Sequence, residues 1–159
     1  MSEFNPKTVN ISSKLWMAEN LAYDDGEEGI TYNPENNEYY YTWKAAMRVA
    51  KKLGWKLPSD EDWDRACKEC NGVNINNRYY DKCLLKNKLN IKLAGFYNNG
   101  FNFIGSHGFN FVGSRESFWS SSKYSSPYVW CRIFDNSSSV ARSNRSETYG
   151  FSVRLIKDI

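Results

Sequence analysis

The residues of this chain that could do chemistry are few and scattered. Its four cysteines are Cys67, Cys70, Cys83 and Cys131, and its one histidine is His107. Cys67 and Cys70 form a CKEC spacing, which resembles a redox or metal-binding pair. A zinc site would need a second pair or matching histidines, and these are missing, so structural thiols are expected. A Cys–His hydrolase would need a thiol activated by a nearby base. His107 lies between two Gly-bounded segments and reads as a turn residue instead. Asp24, Asp25, Glu27 and Glu28, set around Gly26 and Gly29, could hold a hard cation. Their spacing is not that of an EF-hand, and a solvated loop is expected. Asp135 and Asn136 are a second acidic–amide pair with no stronger support. No catalytic residue, metal site or cofactor is expected.

A different chemistry is concentrated at 118–154, which reads FWSSSKYSSPYVWCRIFDNSSSVARSNRSETYGFSVR. Between Tyr124 and Tyr149 there is no Lys, Gln or Met, although Lys is frequent elsewhere. Only Trp130 and Glu147 in that window fall outside the amino acids of pyrimidine-ending codons with free first and second bases. Asn codons whose adenines are randomised leave this composition. Tyr124, Tyr128, Tyr149, Arg142 and Arg145 stand among Ser and Asn, the mixture of antibody-like surfaces with rigid aromatic anchors and adaptable polar contacts. Ser and Asn also make ordinary turns.

These residues need a scaffold. TWKAAMRVAKKLG predicts a helix with Thr42 as N-cap, Ala46, Val49 and Leu53 on one face, and Gly54 as terminator. PSDEDWDRACKEC predicts a second helix, with Ser59 and Asp62 as a capping-box variant and Trp63, Ala66 and Cys67 buried. Residues 1–24 predict short strands, 24–38 a polar loop, and 71–90 an irregular stretch. GFNFIGS at 100–106 and GFNFVGS at 108–114 predict a strand or hairpin pair. The remainder reads as strands and loops, so helices early and strands late give an α+β class. If 130–135 is a strand, Trp130, Arg132 and Phe134 share one face. With Trp130 and Phe134 as core, Cys131, Ile133 and Asp135 face outward. A reversed register, or cover on both faces, is the alternative.

At 159 residues and 41% hydrophobic, 16% aromatic content, one folded domain is expected, spanning 1–159. A net charge of +3 without a basic stripe argues against nucleic acid. No apolar run approaches the roughly 20 residues that span a bilayer. The start MSEFNPKTVN lacks the n- and h-regions of a secretory signal. A product that is cytoplasmic as synthesised is therefore expected.

WMAENLAY at 16–23, YYTWKAAM at 40–47, GWKLPSDEDWD at 54–64, LAGF at 93–96, FWSSS at 118–122 and GFSVRLIKD at 150–158 occur in order. Together they resemble the Fibrobacter succinogenes major paralogous domain, a C-type-lectin-like branch related to the formylglycine-generating enzyme. The resemblance implies an α+β, C-type-lectin-like fold: two helices packed on a twisted antiparallel sheet, with a loop-rich C-terminal display face. It also implies the variable protein of a diversity-generating retroelement, phage or bacterial, with a hypervariable segment at about 118–154. Pro127, Tyr128, Cys131, Ile133 and Ser143 stand where such a template carries Asn. The expected ligand-binding residues are Tyr124, Pro127, Tyr128, Cys131, Ile133, Asp135, Ala141, Ser143, Asn144, Arg145 and Tyr149. The partner would be a protein or cell-surface ligand, and both a monomer and a virion-associated trimer stay open. The Glu-Pro-Asn, Gln-Pro-Asp and Trp-Asn-Asp tripeptides of calcium-dependent lectins are absent. A formylglycine-generating oxidoreductase would need a C-terminal pair of Cys, where only Cys131 is found. The other alternative is an undiversified structural or adhesion module, against which the missing signal counts.

Overall fold

In a computed structural model of the protein, residues 4–98 and 108–159 are described. The chain opens with antiparallel strands β1 (Thr8–Ile11) and β2 (Lys14–Met17). A second hairpin, β3 (Ile30–Asn33) and β4 (Glu38–Tyr41), follows. The polar stretch 24–38 is therefore not all loop. Asn33 Oδ1 accepts from Glu35 N and Asn36 Oδ1 from Glu38 N, so the Asn side chains close the turn.

Helix α1 (Trp43–Leu53) starts where Thr42 accepts a hydrogen bond from Ala45 N. It stops at Gly54, whose φ of 75° suits a residue without Cβ. Helix α2 (Asp60–Glu69) carries the reciprocal Ser59–Asp62 capping box, with acids in its first turn facing the helix dipole. Both match the sequence expectation.

The stretch 71–90, expected to be irregular, holds a hairpin of β5 (Val73–Ile75) and β6 (Tyr79–Asp81) and a one-turn helix α3 (Leu85–Lys88). Asn76 and Asn77 turn the hairpin at φ 54° and 58°, the left-handed conformation that Asn tolerates, and Arg78 N donates to Ile75 O across the turn. Strand β7 (Phe96–Tyr97) pairs with β8 (Phe109–Asn110), which comes from the second GFNF segment. The first GFNF segment and His107 lie outside the described residues.

The last third supplies β9 (Arg115–Ser125), β10 (Tyr128–Asp135) and β11 (Val140–Ser146). They join an antiparallel sheet of order β5-β6-β11-β10-β9. The C-terminal β12 (Ile156–Asp158) returns to pair with β2. The class is α+β, with three helices and antiparallel sheets among the described residues.

Two clusters form the core, one against each face of the central sheet. Trp16, Trp63, Phe118 and Phe134 pack on the side of α2. Ala45, Ala46 and Val49 of α1 pack with Trp119, Val129, Cys131 and Phe151 on the other. Burying each large side chain contributes about 1.5–3 kcal/mol, so both faces of β10 are held.

Candidate functional site

The window 124–149 lies on β9, β10 and β11, and alternation along the strands divides its residues between two faces. Toward α2 point Trp130, Arg132 and Phe134. The register places Asn144 opposite Trp130 and Arg142 opposite Arg132 on that face. Toward α1 point Val129, Cys131 and Ile133, with Arg145, Ser143 and Ala141 as their cross-strand partners.

Three expectations for β10 change. Cys131 does not face solvent: it is fully buried beside Trp119, its neighbour in β9, in the core cluster that this face shares with α1. Burial pushes its thiol up to about 12. Ile133 is half-buried, packed against the same cluster. Trp130, expected in the core, is also half-buried, although Phe134 on the same face is fully covered.

Arg132 is 0% exposed and reaches across to α2, where Nη1 meets Asp60 at 2.6 Å and Nη2 meets Asp64 at 2.9 Å. Burial opposes the charge on Asp60, but hydrogen bonds from Arg142 and Arg132 outweigh it and hold the carboxyl below its ordinary value.

Above this anchor lies an exposed patch. Tyr124 is 56% and Tyr128 45% exposed, large values for aromatic side chains in a sheet. The Tyr124 ring meets Trp130 edge-on at 4.9 Å. The Arg142 guanidinium lies 3.6 Å from the Trp130 ring centroid while donating to Asp60 at 2.7 Å. Asn144 stands beside them, and exposed Pro127 lies in the turn from β9 to β10. A polar hollow of about 200 Å³ continues from Arg142 over Asp64, Asn74, Asn77, Tyr79 and Tyr80. These groups offer stacking surface and a mixture of donors and acceptors.

A family model for the Fibrobacter succinogenes major domain matches residues 9–157. The chain belongs to that family. No match was found among curated proteins or among solved structures.

In this member of the Fibrobacter succinogenes major domain family, the expected ligand-binding residues do not form one surface. Tyr124, Tyr128 and Asn144 join the patch. Ile133, Arg145 and Tyr149 instead line a separate cleft of about 160 Å³ with Phe96, Phe111, Arg115, Ser117 and Phe151. Ala141 and Ser143 are half-buried on the cleft side of β11. Asp135 sits at the far end of β10, its Oδ1 accepting from Ser137 N and Oγ, a turn role. Trp130 was expected in the core, and Arg142, although part of the antibody-like mixture, was not among the expected ligand-binding residues; the polar hollow was missed because its residues are distant in sequence.

The other candidates are engaged elsewhere. Asp25 is not solvated in its loop: its carboxylate accepts from Arg48 at 2.8 Å and Lys52 at 3.0 Å. The Arg48 hydrogen bond above all holds its carboxyl far below the usual range. Cys67, Cys70 and Cys83 are free thiols in the core cluster beside α2. The hydrogen bond with Cys83 and burial push the Cys67 thiol up. No helix among the described residues is long and apolar enough to cross a membrane.

Proposed function

We propose that this chain is a non-enzymatic ligand-binding domain that recognises a protein or cell-surface ligand through the exposed end of β9–β11. The fold we assign to it is C-type-lectin-like, and the protein is the diversified variable protein of a phage or bacterial retroelement. One observation carries this reading. Two exposed tyrosines, a half-exposed Trp and a stacked Arg sit together on a sheet pinned beneath by a fully buried arginine. Rigid aromatic and Arg anchors of this kind dominate binding interfaces. The codon pattern of the same window and the family membership give further support.

A second reading, the undiversified structural or adhesion module, is favoured by one specific fact. Cys131, Arg132, Phe134 and Val140 lie within the window and are buried, so substitution there disturbs the core.

Deep sequencing of the coding region and its flanks in a source population tests the first reading against the second. Diversification predicts changes clustered at Tyr124, Tyr128 and Asn144, with Arg132 and Phe134 constant, and an Asn-rich template and a reverse transcriptase nearby. An invariant window without a template leaves the undiversified module.

A further inference from the structure

We propose that the cleft between Phe96, Ile133 and Tyr149 binds a carboxylate carried on a single ring-sized apolar group, held by Arg115 and Arg145. This site lies on the opposite face of the central sheet from the Tyr124–Tyr128–Trp130 patch and does not depend on the function proposed above.

Size and lining define the apolar half of the ligand. The cleft measures about 160 Å³, close to the roughly 150 Å³ of an apolar cavity that accepts benzene. Its wall is a run of stacked rings. Phe96 lies 5.8 Å from Phe111 at 30° and 5.7 Å from Tyr149 at 24°, and it meets Phe151 edge-on. Ile133 closes the strand side. A flat ring or a branched aliphatic group fits such walls by offset stacking.

The charged half follows from the two arginines. Arg48, Arg132 and Arg142 each meet a carboxylate within 3 Å. Arg115 and Arg145, which both line the cleft, form no ion pair among the described residues. Arg115 is held over the Phe111 ring at 4.5 Å, which orients its guanidinium without neutralising it. Arg145 donates through Nη1 to Ser143 Oγ and to the Asn144 carbonyl, and among the described residues its Nε and Nη2 have no partner. The acid opposite Arg115 in the register is Asp135, whose Oδ1 accepts from Ser137 and whose charge Arg115 feels without forming an ion pair with it. A ring-lined hollow with two guanidinium groups that form no ion pair among the described residues attracts an anion, and a planar carboxylate matches their donor geometry.

The full chain would be titrated with phenylacetate and, separately, phenylacetamide, with ligand-observed NMR and calorimetry as readouts. The acid should bind saturably, and the amide about tenfold more weakly or worse, the difference that charge-assisted hydrogen bonds supply. Arg115→Gln with Arg145→Gln should remove the preference for the acid, and Ile133→Trp should fill the cleft and abolish binding of both. Val73→Ala, exposed on β5 and outside both the cleft and the patch, should leave binding unchanged. Circular dichroism and thermal unfolding of each variant separate lost binding from lost folding. A short peptide ending in Phe, with a free or amidated terminus, distinguishes the source. Binding of the free-acid peptide marks a chain terminus as the ligand, and its exclusion marks a free small acid. No saturable binding of either acid at millimolar concentration, or equal affinity for acid and amide, overturns the proposal.

Discussion

Arg132 ties the central sheet to α2 through two carboxylates, and its side chain is fully buried. Removing one partner of a buried ionic group leaves the other desolvated and unpaired. Arg132→Ala is expected to lose about 3–5 kcal/mol of stability, read as a shift of the urea midpoint. Asp60 gives this cluster a pH signature. Its carboxyl is held below the ordinary value, so its contribution is complete above the unfolded pKa of about 3.9. The contribution is lost as pH falls through the lower folded pKa. Thermal midpoints from pH about 5 down to about 2 should fall less steeply in Asp60→Asn than in the parent. Cys131 makes an opposite kind of test. Its burial and raised pKa predict that maleimide labels it only after urea unfolding. Prompt labelling of the native protein at Cys131 would restore it to the surface.

At the scale of elements, the helices are set by contacts a few residues long. Ser59 and Asp62 satisfy each other's backbone N–H groups at the start of α2. Ser59→Ala should cost about 1 kcal/mol, measurable by chemical unfolding. Gly54 has open space around a would-be Cβ, yet its φ is +75°. Gly54→Ala should therefore cost about 1 kcal/mol from backbone strain alone, with no change of packing. The strands behave differently. The β10 sequence alternates, but both of its faces meet packed partners, so exposure there depends on position along the strand. Trp130 lies near the uncovered end and Phe134 beneath the α2-side cluster.

At the scale of the whole molecule, the two ends of the chain meet. Strand β12 pairs with β2, Lys56 and Ile156 bond through their backbones, and Lys14 meets Asp158 at 2.6 Å. Arg154, buried beside them, donates to the carbonyls of Met17 and Leu89 and to Asn20 Oδ1, joining three distant segments. Deleting 155–159 removes Leu155 and Ile156, both buried, together with this pairing. The truncated chain is expected to lose its cooperative thermal transition, as seen by near-UV circular dichroism. A truncated protein that unfolds at the parent temperature would show that β12 is dispensable.

The sequence by itself determined the helix boundaries, because Thr42, Gly54 and the Ser59–Asp62 pair act within one turn of the backbone they cap. It also determined the family, whose motifs run from the first strands to the last, and the two-residue alternation of β10. It left open which residues of that strand are exposed, since alternation defines two faces without saying what covers either. Only the tertiary structure decided that Cys131 is buried in the cluster on the α1 side and that Arg132 meets Asp60, 72 positions away. The hairpins at 30–41 and 73–81 were hidden for a related reason: their strands are only three or four residues long and are set by Asn-closed turns and cross-strand pairing, too short for a periodic apolar pattern. The aromatic cleft was equally illegible, because Phe96, Arg115, Ile133 and Tyr149 come from separate segments. Burial and proximity are properties of what packs above a residue, and that neighbour is chosen by the whole chain.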